Sequence, residues 1–309
     1  MNNWETSVAE RLKDILNAPD EKSAMKVACR QILSSLNLST APIALKPICQ
    51  KFNLKVSYNN VNKPEDSYLK LAPFGFEIEI SKKKNWRRNR FTIAHELSHI
   101  IIYNIINSRV KIERNQHDGI EALCDIGATE LLINEDELGR ILTTNGLNTE
   151  GVKFMYDKFL VSYDTLFTRL SDFLNMNIVI WKKHSRNDLE KEEFRVFRHF
   201  PKYKNSDKTT WLPNGCTMKH ISPNIFENDF KPFSVVDDFK IIMNGKITKC
   251  SSLSFIFPHS RDLSKNLPIF DDLTISDESI YDNCYIMFIT KDQQKFNTLK
   301  EYYIKNDAR

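Results

Sequence analysis

The chain has 309 residues, enough for two domains of ordinary size, and 41% of them are hydrophobic. Charged residues make up 27%, close to the average for globular proteins, which excludes wholesale disorder. The formal net charge is only +4, from 44 Lys and Arg against 40 Asp and Glu, and this does not indicate a nucleic-acid-binding protein. The six cysteines form no Cys-x-x-Cys pair, so a thiolate zinc site is not indicated either.

The sequence begins with a polar stretch that lacks the apolar core of a secretion signal. No apolar run approaches the roughly 18 residues that a membrane span requires. We therefore expect a cytoplasmic protein with reduced cysteines and no membrane partner.

Apolar residues recur at helical spacing along the first 41 residues. They predict two amphipathic helices, from about Val8 to Leu16 and from about Ala24 to Leu36. A third, short helix is predicted from about Ala44 to Phe52, with Pro47 in or near its first turn. Alternating apolar and polar residues predict three strands, at 54–58, 67–71 and 76–80. Pro73-Phe74-Gly75 would connect the last two of these strands as a hairpin.

Helical spacing dominates from Trp86 to about Leu174, and residues 177–181 return to strand character. Beyond about residue 185, charged stretches separate short apolar runs. Asn244-Gly245, between two of these runs, is a strong hairpin signal. We place a domain boundary near residues 176–190. The runs that predict further strands are 194–197, 240–243, 253–257 and 284–289.

The predicted helix after Trp86 carries two histidines four residues apart, in the sequence His95-Glu96-Leu97-Ser98-His99. On a helix this spacing places both imidazoles on one face, where they can hold one zinc ion at about 2.0–2.1 Å. Glu96 is not a ligand in this geometry, but it can take the proton of a water that attacks a peptide carbonyl. These five residues therefore predict two metal ligands and a general base.

A catalytic zinc site also needs a third protein ligand and an open fourth position. Glu121, 22 residues after His99 at the start of the next predicted helix, is our candidate for that ligand. The alternatives are a capping box, with Asp118 as N-cap and Glu121 at N3, and His117 as the ligand instead. Asp125 follows one turn later on the same face, where it either orients a ligating histidine or belongs to a solvated surface.

Small residues at Gly127 and Ala128 would let this helix approach the His95 helix closely, as a shared metal requires. Glycine inside a helix otherwise costs about 1 kcal/mol relative to alanine, so its presence needs a packing reason. Cys124 is expected to be a small buried residue and not a ligand or nucleophile.

Four segments, over about residues 42–172, resemble the ImmA/IrrE-type metallopeptidase family in order and spacing. The signature-like segment is Arg90-Phe91-Thr92-Ile93-Ala94-His95-Glu96-Leu97-Ser98-His99. The other segments are Pro42 to Val56, Glu121 to Leu132, and Phe159-Leu160-Val161-Ser162 with Arg169-Leu170. Gly127 departs from the pattern, because the family commonly has Phe at this position.

The resemblance implies a zinc ion held by His95, His99 and Glu121, with Glu96 as the catalytic base. It also implies a partner, since members of the family typically cleave a helix-turn-helix transcriptional repressor in stress response or mobile-element control. We therefore expect a metalloendopeptidase whose substrate is such a repressor.

The expected fold is α+β, with three parts. Residues 1–41 form an N-terminal helical extension, and residues 42–176 form a zincin-like metallopeptidase domain of helices and a small sheet. Residues 185–309 form a strand-rich domain that supplies no ligand or base, and we expect it to be regulatory or sensor-like, or a structural cap.

A basic run at residues 82–90 precedes the histidine helix. It is either a docking surface for an acidic partner or DNA, or a solvated loop and helix start. The predicted strand at 76–80 is either an edge strand that pairs with substrate or an ordinary half-buried strand. Candidates for stabilising the oxyanion are His117, Tyr103 and Tyr163.

Two functions outside hydrolysis compete with the peptidase hypothesis. One is a non-catalytic regulator that uses its zinc site for structure or to bind a partner, although such a site has no use for Glu96. The other is a protein that binds DNA or a repressor, based on the basic run and the helical segment 151–172. The small net charge makes direct binding of nucleic acid the weaker alternative.

Overall fold

The computed structural model describes residues 3–59, 67–73, 75–81, 85–106, 118–185, 192–200, 233–243, 246–256, 284–290 and 292–304. Within these residues the chain forms nine helices and two sheets, a mixed helix-and-sheet architecture that agrees with the predicted α+β class. None of the described helices combines the length and the apolar character needed to cross a membrane.

The described residues fall into two compact units. The first contains the residues up to Leu138 together with Tyr156–Thr165, and the second contains Gly139–Met155 and the described residues after Thr165. The division into an extension, a peptidase domain and a C-terminal domain remains a prediction, and each unit is described by itself below.

The helices that were predicted in the first 52 residues are present, with bounds close to those expected. Asp20 caps the second helix by accepting a hydrogen bond of 2.7 Å from the Ser23 amide. The helices up to residue 132 are α1 (Asn3–Ile15), α2 (Glu21–Ser35), α3 (Leu45–Lys51), α4 (Trp86–Ile106) and α5 (Asp118–Leu132). They are followed by α6 (Glu135–Asn145), α7 (Thr149–Phe159) and α8 (Tyr163–Leu174).

The small sheet of the first unit contains β1 (Leu54–Asn59), β2 (Ser67–Ala72) and β3 (Gly75–Ser81) in the order β1-β3-β2. The predicted hairpin is confirmed, because β2 and β3 are antiparallel neighbours. The suggestion that residues 76–80 form an edge strand is wrong, because β1 pairs with the other side of β3 in parallel. A strand with hydrogen-bonded neighbours on both sides cannot add a substrate strand.

Between residues 91 and 103, helix α4 is buried on nearly every side, as expected for the central helix of a unit. The exception is a stripe of half-buried residues that recurs every four positions along one face. This stripe consists of Phe91, His95, His99 and Tyr103. The rest of the helix is packed into the unit, so the two histidines have a fixed backbone beneath them.

Two arginines of the basic run, Arg87 and Arg90, form neither a docking surface nor a solvated surface, whereas Arg88 between them is exposed, as the solvated alternative expects. Arg87 is 4% exposed, lies over the Tyr156 ring and donates a hydrogen bond of 2.8 Å to the Tyr156 carbonyl. Arg90 donates to the carbonyls of Leu160 and Ile43, at 3.1 and 3.0 Å. Packing therefore explains positive charge at this helix N-terminus, where the dipole opposes it. Residues 82–84 lie outside the described part of the chain.

The second unit contains an antiparallel sheet in the order β5-β4-β8-β7-β6, which confirms the strand character predicted for the C-terminal part. Residues Ile178 to Trp181 of β4 are fully buried, and β4 lies between β5 and β8. The turn predicted at Asn244-Gly245 lies outside the described residues. The elements are β4 (Asn177–Ser185), β5 (Glu192–Phe200), β6 (Phe233–Met243), β7 (Lys246–Ile256), β8 (Cys284–Thr290) and α9 (Gln293–Tyr303).

Candidate metal centre

Three of the predicted site residues meet where α4 and α5 lie side by side. His95 Nε2 and His99 Nε2 are 3.2 Å apart, as their spacing of one helical turn requires. The Glu121 carboxylate, from the beginning of α5, lies 3.0 Å from His95 Nε2 and 3.4 Å from His99 Nε2. The capping-box alternative does not describe this glutamate, because α5 already includes Asp118 and the carboxylate contacts the two imidazoles.

Asp125, one turn after Glu121, lies behind the first histidine. Its carboxylate is 3.1 Å from His95 Nδ1, on the opposite side of the ring from Glu121. A carboxylate in this position accepts the Nδ1–H hydrogen bond and fixes the tautomer in which Nε2 presents its lone pair. The orienting role predicted for Asp125 therefore has the required contact.

The charges of this cluster are strongly coupled. Burial lowers the pKa of His95, but its hydrogen bonds to Asp125 and Glu121 and the nearby carboxylate charges, including Glu96, together raise it to about 9. Hydrogen bonds from His95 and His99 hold the pKa of Glu121 well below its usual range. The cluster thus favours a negative carboxylate next to positive charge, and a bound cation would satisfy the same field.

Glu96 follows His95 on α4 and is 7% exposed. Its negative charge acts on both the His95 ring and the Cys124 thiol, so its carboxylate is close to the cluster. Cys124 is fully buried. Its burial is the main reason that the pKa of its thiol lies well above the usual value, and the charges of the surrounding carboxylates add to this rise. A thiol held in its protonated form is neither a nucleophile nor a good ligand, in agreement with the prediction for this residue.

The approach of α5 to α4 depends on glycine. A Cβ atom on Gly127 would lie 2.5 Å from Ser98 Oγ and 2.9 Å from Ser98 Cβ, closer than van der Waals contact permits. The prediction that Gly127 allows close helix packing is therefore confirmed. Ala128, the neighbouring small residue, is fully buried.

The donor atoms of His95, His99 and Glu121 fit a divalent metal ion of the zinc type. All three lie within 4.8 Å of one another. In a tetrahedral site with bonds of about 2.0–2.1 Å, neighbouring ligand atoms are about 3.3–3.4 Å apart, and the distances here are 3.0, 3.2 and 3.4 Å. Two imidazoles and one carboxylate also suit this metal chemically. Among the described residues, His, Cys, Asp and Glu form no other group of this kind.

The site is open on one side, because the Glu121 side chain is 51% exposed while that of His95 is 17% exposed. Of the candidates for oxyanion stabilisation, Tyr103 lies one turn beyond His99 on the same stripe, with its ring edge-on to Phe76 at 5.9 Å. Tyr163 is instead buried and stacked on Tyr156. His117 lies outside the described residues.

Sequence reasoning missed Phe91 as a neighbour of the site. Its ring centroid is 6.4 Å from that of His95, so it borders the cluster on the side toward the start of α4. The signal was present, since Phe91 precedes His95 by the same four residues that separate the two histidines.

No protein-family model matches this sequence, and comparison with curated proteins gives no match. Among the solved structures that match is a Mycobacterium tuberculosis transcriptional regulator. The two chains share 11% sequence identity and superpose with a TM-score of 0.48, over 99% of each chain. A similarity of this size carries no argument about function.

Proposed function

We propose that this protein is a zinc-dependent endopeptidase that hydrolyses a peptide bond in a protein substrate. The observation that carries the proposal is the meeting of two imidazole nitrogens and one carboxylate oxygen next to a buried glutamate. Catalytic zinc sites use three protein donors and keep the fourth position for water or substrate, whereas structural sites use four.

His95, His99 and Glu121 would hold the ion. When bound, zinc lowers the pKa of a coordinated water and polarises the carbonyl to be attacked. Glu96 accepts a proton from the attacking water as its oxygen bonds to the carbonyl carbon. The bond from that carbon to the amide nitrogen then breaks, and Glu96 delivers the proton to the departing amine.

Asp125 contributes without touching the substrate. Its hydrogen bond with His95 Nδ1 keeps the ring from rotating and keeps Nε2 directed at Glu121 and His99. Because Glu96 is buried, its carboxylate exchanges protons in a setting with little competing water, which strengthens the interaction with a reacting group.

The substrate class is proposed from the family resemblance. The signature-like segment Arg90 to His99 and the segment Glu121 to Leu132 provide all five residues of the proposed mechanism. On that basis we propose a zincin-like peptidase domain of the ImmA/IrrE type, acting on a helix-turn-helix transcriptional repressor in stress response or mobile-element control.

A direct test uses full-length protein that is stripped of metal with a chelator and reloaded with one equivalent of zinc. It is incubated with a helix-turn-helix repressor encoded by a neighbouring gene, and new peptide termini are identified by mass spectrometry. We expect one discrete cleavage that requires zinc and is absent with the Glu96→Gln variant. Stoichiometric zinc binding with intact repressor and a stable complex would favour the non-catalytic regulator instead.

A further inference from the structure

Helix α5 carries glutamates on two opposite faces, and the face with Glu130 has no part in the proposed chemistry. Glu130 follows Glu121 by nine residues, which is two and a half turns, so the two side chains leave the helix on opposite sides. Glu130 is completely buried. A buried carboxylate is costly unless it is paired, so something on this side of α5 must balance its charge.

The balancing group comes from the N-terminal helix α2. Arg30 Nε donates a hydrogen bond of 2.7 Å to the Glu130 carboxylate, and Arg30 Nη2 donates to Glu135 at the start of α6. Lys26, one turn earlier on α2, also donates to Glu135. Arg30 therefore joins α2 to both α5 and α6, and Lys26 adds a second link from α2 to α6.

Close packing between the same two helices surrounds this ion pair. The Cys29 thiol donates to the Gly127 carbonyl, with sulfur and oxygen 3.6 Å apart. The end of the Met25 side chain lies 2.3 Å from where a Cβ on Gly127 would be. Gly127 therefore contacts α2 and also α4, through Ser98, so that α5 is held between the two helices.

We infer that α2 positions α5 and that Arg30 is a positioning residue for the third metal ligand, Glu121. The inference rests on the metal centre proposed above. A helix moves as a rigid rod, so a shift at the Glu130 end changes the place of the Glu121 carboxylate about 13 Å away along the axis. The N-terminal extension, which lies outside the segment that resembles the peptidase family, thereby supports the metal centre through α5.

The test measures metal binding by full-length protein carrying Arg30→Met, Arg30→Lys or Lys26→Met. Zinc affinity is measured by competition with a chromophoric chelator, and ligand geometry by the visible absorption spectrum of the cobalt-substituted protein. Circular dichroism checks that each variant is folded at the temperature of the measurement.

We expect Arg30→Met to weaken zinc binding at least tenfold and to change the cobalt spectrum. Arg30→Lys, which keeps the charge, recovers most of the affinity. Lys26→Met is the matched control, since it removes the Lys26–Glu135 ion pair and leaves the Arg30–Glu130 pair in place, and it stays within about twofold of the parent protein.

Glu130→Gln is the second variant if Arg30→Met does not fold, because the amide oxygen still accepts the Arg30 hydrogen bond. It should weaken zinc binding in the same direction with a smaller change. Unchanged affinity and cobalt spectrum in Arg30→Met or Glu130→Gln, or equal loss in Lys26→Met, overturn the positioning role. A parent protein that binds neither zinc nor cobalt overturns the metal centre itself, and the inference falls with it.

Discussion

His95 on α4 and His199 on β5 are both half-buried, yet their pKa values move in opposite directions. Burial lowers the pKa of His199 to about 4. Burial also lowers that of His95, but carboxylates on α5 reverse the effect and raise it to about 9. Burial alone therefore does not decide how a histidine behaves in this protein; the charged groups on the neighbouring element do.

The residues that face the two histidines differ in polarity. His199 pairs with Val179 of β4, and the residues on either side of Val179 are fully buried and apolar. His95 faces a helix that presents Glu121 and Asp125 one turn apart. The carboxylates that raise the pKa of His95 thus lie on the facing helix, whereas His199 lies opposite an apolar stretch of β4.

The largest expected effect is on catalysis, in the helix pair. Glu96→Gln should lower peptidase activity by about 10²–10⁴-fold, because an amide cannot accept the proton of the attacking water. Zinc content should be unchanged, since Glu96 is not among the three donors. Cleavage of the repressor and metal analysis are measured together, with Glu150→Gln, an exposed residue of α7, as the control. Full activity in Glu96→Gln would remove the hydrolytic mechanism.

The next largest effect is on zinc affinity, and it distinguishes the proposed third ligand, Glu121, from Asp125, which contacts the far side of the His95 ring. Glu121→Ala should weaken zinc binding more than Asp125→Asn, which we expect to lose about 10–100-fold. The reason is that Glu121 lies against Nε2 of both histidines, whereas Asp125 is hydrogen-bonded to the far nitrogen, Nδ1, of His95. Chelator competition measures both. If Glu121→Ala keeps the parent affinity, the third ligand lies elsewhere, and His117 is the next residue to replace.

Alanine substitutions at two glycines allow helix packing in the first unit to be compared with helix packing in the second unit. Gly127→Ala should destabilise the protein by about 1–3 kcal/mol, because the new methyl group meets the Ser98 side chain. Gly139→Ala should be neutral or stabilise by up to about 1 kcal/mol. There the nearest atom is Phe173 Cζ at 3.3 Å, and alanine favours the helix. Urea unfolding of both variants measures the difference, and equal effects would contradict it.

The smallest effect tests the strand histidine. Since the pKa of His199 is lowered in the folded state, its neutral form stabilises the protein above about pH 6.5, and this contribution is lost as the pH falls toward 4. The loss should be of order 1 kcal/mol, because part of the ring reaches solvent. His199→Gln should therefore show a smaller drop in unfolding free energy between pH 7 and 4.5. An identical drop would place the acid sensitivity elsewhere.

The parts of the site that follow from local spacing could be predicted from the sequence. The placement of His95 and His99 follows from their separation by one turn, and that of Asp125 from its distance to Glu121. The pairing of Arg30 with Glu130 could not be predicted, because it joins residues 100 positions apart and no local pattern encodes it.

The same limit explains the errors. A run of basic residues predicts surface charge, but Arg87 and Arg90 find carbonyl acceptors on distant segments. Alternation predicted β3 correctly as a strand with Phe76, Ile78 and Ile80 buried. It carried no information on which strands lie beside it, because neighbours are decided by pairing across the chain.

The position of β8 between β4 and β7 has a consequence for how the chain is made. Residues 284–290 must be synthesised before β4 gains its second neighbour, and β8 begins 99 residues after the end of β4 (284 − 185). Until then, one edge of β4 lacks its partner strand in the growing chain, and an unpaired edge on an apolar strand is a route to aggregation. A chain cut near residue 184 would remain in that condition, since β4 would lack both of its neighbours.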